Sequence, residues 1–228
     1  VGLKMTFKKI KNPKNIILQI GILIGALFFI FITVQTHPSK QNLEARLISP
    51  PHGLEHFSFG FKAPLADLMW IRVIQDFDYC EKKIDNINCS NTGWLYQMLD
   101  VVTDLAPDFR TAYSAGSIAL SVIVSDIQGA SLLFEKGLKH FPKDWIINYR
   151  AAYHFLIEVK NKTRAAELLL VAAQNGGPPW LYSLATRLYT EEGQNILAVG
   201  IYKQLLEEGA SPSLIEQVRK KLNKQKIK

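Results

Sequence analysis

Apolar and polar positions divide the chain into three stretches. From Ile16 to Val34 the sequence reads IILQIGILIGALFFIFITV, interrupted only by Gln19 and Thr33, and no Asp, Glu, Lys or Arg occurs from 15 to 39. At about 1.5 Å per residue such a helix spans roughly 30 Å, the depth of a bilayer's hydrocarbon core. A buried core helix is the alternative, but that reading wants a polar side and this run is apolar all round. A cleaved signal peptide fits less well, because the run is long and no small-x-small site follows before Pro38. Residues 36–63 then read as a linker, since Pro38, Pro50, Pro51 and the following Pro64 interrupt any long helix. Within it HFSFGF, 56–61, alternates aromatics with other residues and is expected as a short extended piece packed on the first helix.

From Leu65 onward the apolar positions take helical spacing. Helices are expected over Leu65 to Tyr79, Trp94 to Leu105, Arg110 to Val124, a partner continuing to Lys139, Trp145 to Val159, Arg164 to Asn175, Pro179 to Thr190, Asn195 to Glu207, and Pro212 to Asn223. Ser211 before Pro212 suits an N-cap with proline in the first turn. No strand pattern competes, so the expected class is all-α: one N-terminal membrane helix, then about four helical pairs and a capping helix.

A cadence runs through the pairs. Ala130, Phe134, Gly137 and Pro142 place small, bulky, small and breaking residues at offsets of 4, 7 and 12; Leu95, Leu99, Val102 and Pro107 share those offsets. Ala165, Leu169 and Ala172 follow, then Ala198, Tyr202 and Leu205; the first members stand 35, 35 and 33 residues apart. A two-helix period near 34 implies a stacked repeat. In the second helix of one pair Ala130, Leu133, Phe134, Gly137, Leu138 and Phe141 form one apolar stripe, with Ala130 and Gly137 admitting a neighbouring helix.

Charge sharpens the picture. The formal net charge of +7 comes from the ends: five lysines lie in 1–15, and 216–228 hold six Lys/Arg against one Glu. The body between is slightly acidic, with 16 Lys/Arg against 19 Asp/Glu, which argues against a nucleic-acid face. Lys4, Lys8, Lys9, Lys11 and Lys14 precede the span while Lys40 and Arg46 follow it, so the positive-inside bias keeps the N-terminus cytoplasmic and exports the rest. Whether Val1 or Met5 is the start does not alter this. Gly21 and Gly25 make a GxxxG spacing that offers a route to a homodimer. Cys80 and Cys89 flank a polar turn-rich loop; in an exported domain a disulfide is the expected reading, two separate thiols the other.

These residues resemble the tetratricopeptide repeat (TPR) family, in which antiparallel helix pairs carry small residues at their contacts, an aromatic in the second helix and a proline at the unit's end. Ala130, Phe134, Gly137 and Pro142 match the second helix; Ser117, Ala152 and Ala185, followed three residues later by Leu120, Phe155 and Leu188, match the first. The resemblance covers 64–208, with 211–228 as cap and basic tail. The family's usual first-helix Trp is replaced by Tyr113 in one unit, and Gly176-Gly177-Pro178-Pro179 displaces the proline of the third. The arrangement resembles bacterial envelope proteins with a basic cytoplasmic N-terminus (1–15), an inner-membrane helix (16–35) and a periplasmic TPR domain.

The resemblance implies a groove lined by the first helices, and its positions fall on Ser114, Ile118, Tyr149, Tyr153, Tyr182, Thr186 and Tyr189. Tyrosines suit protein or peptide binding, although a small slip of register would pack them between helices. No nucleophile, phosphate loop or enclosed carboxylate pair stands out. His52 and His56 have no third ligand, Cys80 and Cys89 make a poor metal site, and His154 is expected to pack or touch a partner. Asp104, Asp108 and Arg110 read as inter-unit polar groups, and the C-terminal lysines as a solvated tail. The chain is therefore expected to be no enzyme, to need no cofactor or metal, and to tether an envelope protein or peptide for a pilus, secretion or assembly machine. The alternatives are a cytosol-facing receptor on an organelle membrane and a non-catalytic regulator of a cell-wall or polysaccharide enzyme.

Overall fold

The computed structural model describes residues 13–36, 50–51, 53–81 and 89–223. The chain forms two units, Val1–Arg46 and Leu47–Lys228. Among the described residues all regular structure is helical.

The first unit holds helix α1, Pro13–Thr36. Its described side chains, 19–32, are all exposed, including Leu23, Leu27, Phe28 and Phe29. A methyl added at Gly21 or Gly25 would meet nothing within 4 Å. Among the described residues no helix is long and apolar enough to cross a membrane. The side chains at both ends of the expected span, 16–18 and 33–35, lie outside the described ones.

In the second unit α2 runs Lys62–Glu81 and α3 Trp94–Leu105. A helix over 110–124 follows, wound in the wider π form at Ala112–Gly116 and Ala119–Val124. Then come α4 Ile127–His140, α5 Trp145–Ile157, α6 Lys162–Gln174, α7 Trp180–Glu191, α8 Asn195–Glu207 and α9 Pro212–Asn223. Successive helices pack as antiparallel neighbours, α9 lying against both α7 and α8.

Three local results differ from the sequence expectation. Pro64 sits inside the first turn of α2, where a missing N–H costs nothing, so the helix begins before it. HFSFGF is not extended: a 3-10 turn covers Leu54–Phe57, and Phe59 (φ +47) and Gly60 (φ +86) turn the chain left-handed, leaving Phe59 and Phe61 exposed. Helix 110–124 is π-wound where an ordinary α-helix was expected; it ends with Ser125 at φ +60, whose N–H and that of Asp126 both bond to Leu120 O. Nothing in the residue spacing marks that winding.

The cadence is the core. Leu95, Leu99, Val102, Ala130, Phe134, Ala165, Ala172 and Ala198 are fully covered, and Leu169 and Leu205 are 2% exposed. Their first-helix counterparts Ser117, Leu120, Ala152, Ala185 and Leu188 are buried as well. Gly137 shows why a small residue is required. A Cβ there would lie 3.0 Å from Tyr113 Cβ and 3.1 Å from its Cδ1, so the bare glycine lets α4 close onto the π-wound helix. Tyr113 in turn is wholly buried, its hydroxyl donating to Thr103 O at 3.4 Å; burial pushes that hydroxyl up to about 12.

Candidate binding face

The first helices α5 and α7 are covered by their neighbours on most of their circumference and leave one side open. On α5 the open side follows from spacing: Ile146, Arg150, Tyr153 and Ile157 recur at intervals of 4, 3 and 4, so they form one stripe. Tyr153 and Ile157 are exposed, and Ile146 and Arg150 half-buried. On α7 the equivalent stripe is Trp180, Leu184, Arg187 and Glu191, with Trp180 47% exposed. Tyr149 bridges the two stripes, its ring meeting Trp180 edge-on with centroids 5.8 Å apart. On the π-wound helix Ile118 is half-covered and Val122 and Ile123 are exposed.

This placement corrects the groove read from the sequence. Ser114, Tyr182, Thr186 and Tyr189 are buried, the last three at 9%, 0% and 3% exposed, so four of the seven assigned positions pack inside the stack. Ile118, Tyr149 and Tyr153 remain on the open side. On α7 the assigned positions stand 33 residues after Tyr149 and Tyr153, whereas its open stripe stands 34 after that of α5, a slip of one residue or about 100° around a helix, which turns the tyrosines toward the covered side. Thr186 accepts burial because its hydroxyl donates to Tyr182 O at 2.7 Å. Burial raises the pKa of the Tyr182 and Tyr189 hydroxyls, helped by Glu208 and Glu167 respectively. Trp180 is the open-face residue that the spacing argument missed. Its position directly after Pro178-Pro179, at the start of a first helix, was the available signal.

Polar ties hold the helices that present this face, and they join residues about one repeat apart. Arg110 donates to Asp144 through Nε and, at 2.9 Å, through Nη2, 34 residues on. Asp144 caps α5 by accepting from Ile146 N (2.9 Å) and Ile147 N (3.1 Å); its bond to Arg110, then these, hold its carboxyl below the ordinary range. Thr92 N, again 34 residues away, donates to the buried carboxylate of Asp126, which also takes Gly129 N at 2.9 Å as the cap of α4. Lys136 Nζ reaches Asp100 Oδ1 and Asp104 Oδ1, each at 2.6 Å.

His154 is the third kind of tie. Its ring is fully buried between Phe134 and Phe155, with centroids 5.3 Å from each. Nδ1 lies 2.7 Å from Ser121 Oγ and Nε2 lies 2.8 Å from Ser131 Oγ. Since the Ser131 hydroxyl donates to Ile127 O at 2.8 Å, it accepts from Nε2–H, and Nδ1 accepts from Ser121. The neutral ring therefore links three helices, and burial pushes its pKa down to about 4.

Cys80 and Cys89 are joined in a disulfide with Cα atoms 5.5 Å apart, tying the end of α2 to the segment ahead of α3. Among the described residues no three of His, Cys, Asp and Glu gather in a metal-binding set. His56 is exposed, and His52 lies outside the described residues. Comparison with protein-family models, with curated proteins and with solved structures returns no match, so the reading of this chain rests on its own residues.

Proposed function

We propose that this chain is a membrane-tethered interaction scaffold, a TPR-like stack whose open first-helix face holds a partner protein or peptide. The observation that carries the reading is the aromatic and apolar row on α5 and α7: Tyr149, Tyr153, Ile157, Trp180 and Leu184, on rigid helices whose other sides are packed. Large amphipathic rings on a preformed surface are what protein recognition uses. The tether is the apolar run 16–35; the lysines before it argue for a cytoplasmic N-terminus and a periplasmic stack, and the disulfide fits an oxidising compartment. Chemistry is assigned to the partner's system and not to this chain, and an envelope assembly, pilus or secretion machine is the setting that suits such an adaptor.

A photo-crosslinking amino acid at Tyr153, compared with one at Ile196 on α8, tests the face in membranes of cells making the chain. A specific adduct at 153 and none at 196 is expected; equal yields, or none at 153, overturn the reading. An export-dependent reporter after Lys228 should be active, and cytosolic activity would favour the organelle-receptor alternative.

A further inference from the structure

We propose that the face between α5 and α7 selects a peptide segment that sets a side-chain carboxylate beside a large apolar residue. The inference rests on the scaffold reading and adds the chemistry of the partner.

Arg150 carries the argument. It stands in the open stripe of α5 between Ile146 and Tyr153, half-buried, and among the described residues it has no acceptor. A half-buried arginine without an acceptor is open to an anion: pairing is worth more there than on a fully wet surface, and Arg presents a planar fork that fits a carboxylate. Other arginines of the stack are committed, Arg110 to Asp144 and Arg164 to Glu135 and Glu167.

From Trp145 to Ile157, α5 contains no Asp or Glu. On the facing stripe of α7 the acid is Glu191, which is shared between Arg187 (3.4 Å) and Lys162 (3.0 Å). Lys162 also reaches Glu192 at 3.7 Å, so the charges at that corner offset one another and Arg150 is left as the unpaired cation of the face among the described residues, which favours an acidic segment over a basic one. On α5 beside Arg150, Tyr149 with its edge-on partner Trp180 of α7, and the open ring of Tyr153, supply the place for a bulky apolar side chain.

The test uses the full chain in phosphatidylcholine nanodiscs and three fluorescein-labelled, C-terminally amidated dodecapeptides that share a central Leu-Phe pair, flanked by two Asp, two Asn or two Lys. The Asp peptide should bind about fivefold more tightly than the Asn peptide, with the Lys peptide weakest. Arg150→Gln should bring the Asp peptide to the Asn level, and Arg150→Glu should invert the order, a gain that misfolding cannot mimic. Equal affinities for the three peptides, an unchanged order in both variants, or no binding of any peptide overturns the proposal. If the crosslinker at Tyr153 still captures a partner in those cases, the scaffold reading survives and only the charge selectivity falls. If that adduct is missing too, both fall.

Discussion

Arg110 and Asp144 are joined side chain to side chain across two successive helix pairs, and the same carboxylate caps α5 through Ile146 N and Ile147 N. One residue therefore closes a helix end and fixes the neighbouring pair against it. Asp144→Ala should lower stability by about 1–2 kcal/mol, the usual worth of a lost N-cap, whereas Arg110→Gln keeps the cap and should cost less. Urea unfolding at pH 7 distinguishes the two. The Asp144 carboxyl is held below its ordinary 3.8, so its contribution is present above about pH 4 and disappears as the pH falls further. The penalty of Asp144→Ala should shrink accordingly at pH 3.

His154 predicts a different acid response. Its folded pKa, near 4, lies below the ordinary 6.5, so the unfolded chain takes up the proton first. Above pH 6.5 the group is neutral in both states. Between 6.5 and 4 the folded state loses ground, by about 3 kcal/mol in all. Replacing the network with His154→Phe and Ser121→Ala should remove that part of the stability difference between pH 7.5 and 4.5. An undiminished difference would mean that the ring is not buried neutral.

Two glycines should respond oppositely to the same substitution. Gly137→Ala places a methyl 3.0 Å from Tyr113 Cβ, on a buried residue that has little room to move. Despite the better helix propensity it should destabilise by about 1 kcal/mol. In α8, Gly200→Ala meets nothing within 4 Å and should raise stability by up to about 1 kcal/mol. Thermal melts of the two variants check the pair.

Reducing the Cys80–Cys89 bridge, which spans 9 residues of sequence, should cost about 2–3 kcal/mol in the chain-entropy model. Because a stack transmits stability mainly between neighbours, amide exchange should quicken in α2 and α3 and stay nearly unchanged in α7 and α8. Uniform loss of protection would argue against a stack of semi-independent pairs.

How much of this was legible in the sequence depends on whether the signal is a period or a rotation. Ala130, Phe134, Ala165 and Ala198 announced themselves because burial selects residue size at a fixed interval, and all four are fully covered. Helix ends were legible where proline, glycine or a capping side chain stood, as at Ser211, whose Oγ accepts from Leu214 N at 3.4 Å. The open face was not, because it depends on rotation about each helix axis and one residue of slippage is about 100°. Tyr153, counted from the true start of α5, is exposed. Tyr182 and Tyr189 fall on the covered side because the groove positions were counted from 178, ahead of the helix start at Trp180. Ser114 lies buried within the π-wound stretch Ala112–Gly116.

The disulfide has a mechanical consequence. Any pull that reaches the stack through the chain's N-terminal side arrives at α2, and a row of helix pairs would ordinarily unzip from its loaded end. Cys80 and Cys89 join the last turn of α2 covalently to the segment ahead of α3, so a load that reaches Cys80 passes straight to α3 and on to ties such as Thr92–Asp126. The bridge thereby shortens the load path into the stack by the stretch of chain between the two cysteines.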